Sequence, residues 1–169
     1  LAPTGIAAIN AGGVTIHSFF QVPFAPYVPE SSFSADGKAT YRFRYGKEKI
    51  NIIRSIDLLV IDEISMVRAD LLDSVDAVLR RFRDRNKPFG GVQLLMIGDL
   101  QQLSPVVKDD EWQMLCKYYD TPYFFSSQAL KQTEYCTIEL KKVYRQNDGT
   151  FLELLNRIRE NRCDGQVLE

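Results

Sequence analysis

The 169-residue sequence is 45% hydrophobic and 25% charged with a net charge of -1, a balance that fits one globular domain with its own core and excludes a disordered or low-complexity chain. No apolar run nears the ~20 residues that span a bilayer and no signal-peptide pattern opens the sequence, so an intracellular protein with no membrane attachment is expected. Cys116, Cys136 and Cys163 are odd in number and widely spaced, which argues against a disulfide framework or a zinc site.

Taken in chain order, LAPTG (1–5) reads as the end of a strand entering a turn, and because the first residue is Leu1 rather than methionine a fragment is expected. PTGIAAIN sets Pro3, Thr4 and Gly5 between that strand end and a helix start, where free amides and the helix dipole favour a phosphate. GGVTIHSFF repeats the arrangement: Gly12 and Gly13 make a turn, Thr15 caps, and His17, Ser18 and Phe19 follow. A flat ring and hydroxyls there suit stacking on a base and binding a backbone, although His17 could equally be a helix-start histidine satisfied by its neighbours. Residues 21–50, punctuated by Pro23, Pro26 and Pro29, read as an insertion. Within it Tyr41, Phe43 and Tyr45 alternate with Arg42 and Arg44, the period-two pattern of a strand with one aromatic and one basic face; the aromatic face is expected to pack inside the insertion, and a contact with a nucleic-acid strand stays open as the alternative. Residues 1–56 hold six basic and three acidic groups against eight and twelve in 57–130, a slight lean toward a polyanionic partner.

Further on, LLVID (58–62), VQLLMIG (92–98) and the shorter YFF (123–125) read as strands buried on both faces, with CTIEL (136–140) a fourth candidate. Between the first two, Leu71, Val75, Val78 and Phe82 recur at helical spacing. The helix ends in Arg80, Arg81, Arg83 and Arg85, which suit the negative end of its dipole. A last amphipathic stretch, TFLELLNRIREN, follows Gly149. Strand, helix, strand with continuous apolar strands predicts a parallel sheet covered by helices, the α/β class.

Ligands of such sheets gather at the carboxyl ends of the strands, where Asp62 and Glu63 must lie if 58–62 is a strand. One acid can hold a hydrated magnesium ion while its neighbour accepts a proton from attacking water. The plainer alternative is a cap and first turn of the following helix. The next strand ends in GDLQQLSPV, which brings Asp99 and Gln102 to the same edge; a neutral amide there can donate to a phosphate oxygen or orient water.

APTGIAAINAGGVTIHSFF, LLVIDEISM, GDLQQLSPV and VYRQ, in this order, resemble the successive motor motifs of superfamily 1 helicases, closest to the PIF-type branch and its RecD-like relatives. The match covers most of the sequence outside the insertion. It implies a RecA-like parallel sheet with helices on both faces, with 1–140 the first motor domain, interrupted at about 21–50, and 141–169 the hinge and beginning of the second. It implies an ATP-driven DNA helicase moving 5′ to 3′ along single-stranded DNA, with ATP and Mg2+ as cofactors, single-stranded DNA and duplex junctions as partners, and DNA repair and recombination as the processes served. The implied location is cytoplasmic in a bacterium, nuclear or mitochondrial in a eukaryote.

Residue by residue, the resemblance implies Asp62 as the magnesium ligand, Glu63 as the general base and Gln102 as the reader of the γ-phosphate, with Asp99 beside the nucleotide. Arg145 of YRQ matches an arginine finger, a task for a permanently charged planar donor fork. Pro3, Thr4, Gly5, Thr15, His17, Ser18 and Phe19 fall in the blocks that touch DNA in the family. The family's P-loop, G-x-x-x-x-G-K-[ST], does not occur in the sequence; in the family it lies upstream of APTG, so loss by truncation is expected, and most of the second motor domain would follow Glu169. Two other readings compete: a nucleic-acid-binding or scaffolding domain with the motor fold but no hydrolysis, and an unrelated P-loop phosphotransferase, which would not need PTGIAA and YRQ together.

Overall fold

The computed structural model describes residues 1–28, 45–140, 142, 144, 149–159 and 161–162. Two compact units divide the chain, Leu1–Glu134 and Tyr135–Glu169. In chain order the elements are α1 (Gly5–Asn10), α2 (Ile16–Phe20), α3 (Lys47–Ser55), β1 (Leu58–Ile61), α4 (Ala69–Phe82), β2 (Gln93–Met96), α5 (Asp109–Leu115), α6 (Gln128–Lys131) and, in the second unit, α7 (Gly149–Arg159).

β1 and β2 pair in parallel, Leu58 beside Gln93 through Ile61 beside Met96. Parallel neighbours need a crossover, and α4 supplies it. Leu1 extends the sheet on the far side of β1: its amino group donates to Val60 O at 2.6 Å and its carbonyl accepts from Asp62 N at 2.8 Å. The α/β class expected from the sequence is therefore the observed one. One sheet face packs into the core through Leu59 and Ile61. On the other, Leu95 and Ile97 are each 46% exposed and Leu58 50%, so burial of the strands on both faces, expected from their unbroken apolar runs, is not reached within the described residues.

α4 carries the core's main stripe. Leu72, Val75, Val78 and Leu79 are buried, with Leu71 and Phe82 at the margin, a stripe turned slightly from the one that Leu71 and Phe82 mark in the sequence. Arg80 pairs back with Asp76 at 2.8 Å, one turn earlier. The turn Pro88–Gly91 then folds under α4; Gly90, at φ +60°, lies so close that a Cβ there would stand 2.7 Å from Leu79 O.

Asp73 is the polar centre of this packing, 5% exposed. It accepts hydrogen bonds from Tyr119 Oη (2.9 Å), Ser127 Oγ (2.5 Å) and the backbone N–H groups of Gln128 (3.0 Å) and Ala129 (3.0 Å). These four donors satisfy the carboxylate and fasten the start of α6 to α4. Burial, with Asp73 beside it, pushes the Tyr119 hydroxyl well above the usual tyrosine range.

Three expectations change. YFF is not a strand: Tyr123 makes an isolated antiparallel bridge to Arg68, and Phe124–Ser126 is a 3-10 turn. CTIEL forms no strand, with Ile138 79% and Leu140 87% exposed. KEKINIIRS, whose first residues fall in the segment read as an insertion over 21–50, is helical, with Glu48 in its first turn and Arg54 in its last, the charge order that a helix dipole favours. Tyr41 and Phe43 lie outside the described residues. Tyr45 packs edge-on against Phe82 at 5.0 Å and donates its hydroxyl to Phe20 O, so its ring joins the main core; burial raises its pKa to about 12. The stretch after Gly149 is α7, ending in Arg157 and Arg159. Among the described residues no helix is long and apolar enough to cross a membrane.

Candidate functional site

The sheet positions one group of candidates. β1 ends at Ile61 and β2 at Met96, directly opposite each other, so Asp62 and Glu63 leave the same edge as Gly98 and Asp99. Pairing continues past both ends: Ile97 N donates to Ile61 O and Ile64 N to Ile97 O, each at 2.9 Å. The chain turns sharply between these bonds, and Glu63 adopts φ 53°, ψ 44°. A glutamate in this left-handed region costs on the order of 1–3 kcal/mol and persists only where surrounding contacts over-determine it. Asp62 Oδ1 accepts from Glu63 N at 3.0 Å, whereas the Glu63 carboxylate takes no partner among the described residues.

On the β2 side, Asp99 organises the loop. Its Oδ1 accepts from Gln101 N and its Oδ2 from Gln102 Nε2, both at 3.0 Å, while Gln102 N donates to Asp99 O at 3.1 Å. The exposed Gln102 amide is thus oriented by its neighbour. Three half-buried carboxylates, Asp62, Glu63 and Asp99, and an oriented amide on one strand edge suit charged oxygens and a hard cation. Magnesium is held by one or two carboxylates with phosphate oxygens and water completing its shell, and Asp62, with only one oxygen engaged, fits that task. No cluster of three or more metal-binding side chains occurs among the described residues.

The second group lies at the starts of α1 and α2. Thr4 caps α1 by accepting from Ala7 N at 3.3 Å, and Thr15 caps α2 by accepting from Ser18 N at 3.2 Å. Ala2 joins the two segments, donating to Val14 O at 3.3 Å and accepting from Ile16 N at 3.0 Å. Pro3, Thr4 and His17 then line one cleft of about 270 Å³, with Phe24, Met66 and Arg68. Gly5 and Ser18 are exposed outside it. Phe19 does not reach the cleft: it packs against the core edge-on to Phe20, with Lys49 Nζ 3.7 Å from its ring centre.

Within the cleft, Phe24 stacks on His17 at 4.4 Å and 16°. One imidazole face is therefore covered, and the outer ring, Phe24, is 82% exposed. Burial, and then the Arg68 guanidinium, hold the His17 pKa below its ordinary value, with Asp70 opposing them. Its Nδ1 is buried without a partner among the described residues. Arg68 is fully engaged, donating to both Asp70 oxygens at 2.8 and 2.6 Å and to Glu111 at 3.0 Å. Phe24 is a surface aromatic that no motif in the sequence marks; its signal is the aromatic held between Pro23 and Pro26, which stiffen the backbone on either side. Arg145 lies outside the described residues.

A family model described as PIF1-like helicase matches residues 1–167. The human ATP-dependent DNA helicase PIF1 is 40% identical over 173 residues, covering 98% of this chain and 23% of the human protein. The Saccharomyces cerevisiae ATP-dependent DNA helicase RRM3 is 35% identical over 158 residues, covering 94% of this chain and 20% of its own. Among solved structures, a Pif1 helicase from Bacteroides in complex with ADP-AlF3 and ssDNA superposes with a TM-score of 0.91 at 43% identity, covering 99% of this chain and 37% of that one. The Pif1 helicase from Candida albicans superposes with a TM-score of 0.72 at 32% identity, covering 98% and 34%. The chain thus spans about a quarter of the length of the curated relatives it matches. With a family model matching nearly its whole length and relatives 40% and 35% identical across it, the chain belongs to the PIF1-like helicase family.

Proposed function

We propose that these residues form part of the motor of an ATP-dependent DNA helicase, coupling ATP hydrolysis to 5′–3′ movement on single-stranded DNA and to unwinding at duplex junctions. In this reading 1–140 is the first motor domain and 141–169 the hinge and beginning of the second, and the protein acts inside the cell. The observation that carries it is the convergence of Asp62, Glu63, Asp99 and Gln102 at the ends of two paired parallel strands. Relatives named as ATP-dependent DNA helicases support the activity, and the Bacteroides complex with ADP-AlF3 and ssDNA supports both ligands.

Each residue has a definable task. Glu63, free of partners in the described structure, accepts the proton of the attacking water. Asp62 holds Mg2+, which when bound neutralises charge on the phosphates. Gln102, steadied by Asp99, donates to a γ-phosphate oxygen, and Arg145 supplies positive charge as the finger. Pro3, Thr4, Gly5, Thr15, His17 and Ser18 form the DNA side, with Phe24 as its exposed stacking ring; stacking on an aromatic and contacts to phosphate bind single strands without reading sequence.

The test uses a protein in which this segment stands together with a P-loop. Glu63→Gln should leave ATP binding nearly intact and abolish steady-state hydrolysis, because only the proton acceptor is removed. Parental turnover by that variant would overturn the assignment. A domain that binds DNA but never hydrolysed ATP would give the same null rate for both forms.

A further inference from the structure

Glu63 occupies a backbone region that its own side chain does not favour, so something outside it must impose that geometry. The contacts can be named. The residue before it is fixed by Asp62 N donating to Leu1 O at 2.8 Å, and the residue after it by Ile64 N donating to Ile97 O at 2.9 Å. Between these anchors the turn lies flat on the end of β2, against Gly98. A Cβ built on Gly98 would stand 2.9 Å from Ile64 Cγ2, 3.0 Å from Ile64 N and 3.1 Å from Ser65 N. Two of those three atoms are backbone and have no rotamer by which to yield. Ser65 is itself only 1% exposed, which closes the other side of the turn.

We propose that Gly98 is a positioning residue for Glu63, a steric gauge that sets how closely the acidic turn rests on the strand carrying Asp99 and Gln102. The inference rests on the reading of Glu63 as the proton acceptor. Gly98 touches no reacting atom; it acts by permitting the approach that holds Glu63 at φ 53°. Because β2 runs straight on into Gly98 and Asp99, the proton acceptor and the phosphate-reading loop share one backbone junction, and a methyl group there should shift the first with respect to the second.

The experiment again uses the protein with its P-loop. Gly98→Ala should lower kcat for DNA-stimulated hydrolysis by about tenfold or more, since small misplacements of a reacting group cost one to two powers of ten, while KM for ATP and affinity for ADP stay within about twofold. In a Glu63→Gln background the same change should cause no further loss of the residual single-turnover rate, because the residue through which it acts is already disabled. Parental kcat in folded Gly98→Ala, or equal fold-losses in both backgrounds, would overturn the proposal. If Gly98→Ala does not fold, the pair Ile64→Ala with Gly98→Ala, which removes the Cγ2 contact and keeps both backbone contacts, carries the same expectations. Glu63→Gly supplies an independent reading: a turn held under constraint should melt higher once a glycine occupies it, and an unchanged or lower melting point would show that the geometry is not imposed. Failure of the parent reading is distinct, for it would appear as parental turnover in Glu63→Gln itself.

Discussion

Asp73 accepts from four donors inside the protein, two on each carboxylate oxygen. Asp73→Ala should lower stability by about 3–5 kcal/mol, measured by urea unfolding, because it leaves buried hydroxyl and amide groups unpaired. His17 makes a gentler, pH-dependent contribution. Burial depresses its pKa below the ordinary 6.5, so in the window beneath that value the unfolded chain binds a proton that the folded chain refuses. Stability should therefore be undiminished above about pH 6.5, fall as the pH drops through the window, and level off below the depressed pKa. Melting temperatures recorded across this range should show a slope that His17→Gln flattens. Asp62, Glu63, Asp99 and Gln102 were legible because their spacing after two apolar runs marks strand ends. The left-handed backbone of Glu63 was not, since it depends on Ile97 and Gly98, more than thirty residues away, and leaves no local trace. Asp73 was hidden for the same reason: every donor to it comes from residues 119–129.

At the level of elements, β1 and β2 were readable from their unbroken apolar runs and α4 from its helical spacing, and each misread segment has its own cause. YFF has the composition of a strand, but Pro122 ahead of it and the Ser126–Ser127 pair behind it leave room for one bridge and a turn. CTIEL has the right apolar content and lacks a neighbour with which to pair among the described residues, and a strand without a ladder is not a strand. The start of KEKINIIRS, KEKI, reads with the preceding polar run because its first three residues are charged; of the helix's apolar residues only Ile53 is buried. At the proposed DNA-binding cleft the elements separate two aromatics on or next to the same short helix. Phe24→Ala should weaken single-stranded DNA binding by roughly 1–3 kcal/mol, the contribution of one stacked base, read by fluorescence anisotropy with a labelled oligonucleotide. Phe19→Ala, acting on a ring beneath Lys49 and against Phe20, should lower stability and leave affinity nearly unchanged. The opposite ranking would move the stacking surface from Phe24 to α2.

For the molecule as a whole, the 169-residue sequence contains Glu63, Asp62 and Gln102, proposed above as base, metal ligand and amide sensor, but no G-x-x-x-x-G-K-[ST]. Phosphoryl transfer is largely a matter of positioning, and the amide cradle is what fixes the nucleotide. Phosphate release by this chain alone, with magnesium and single-stranded DNA present, should not exceed that of its own Glu63→Gln form. A Glu63-dependent rate would mean that another segment binds the triphosphate. The turn at Glu63 also bears on how such a sequence drifts under selection. A library randomised at position 63 and sorted for protease resistance should enrich glycine and asparagine, the residues at ease in a left-handed turn. Sorted for unwinding, the same library should return glutamate, so that folding and work recruit different residues at one codon.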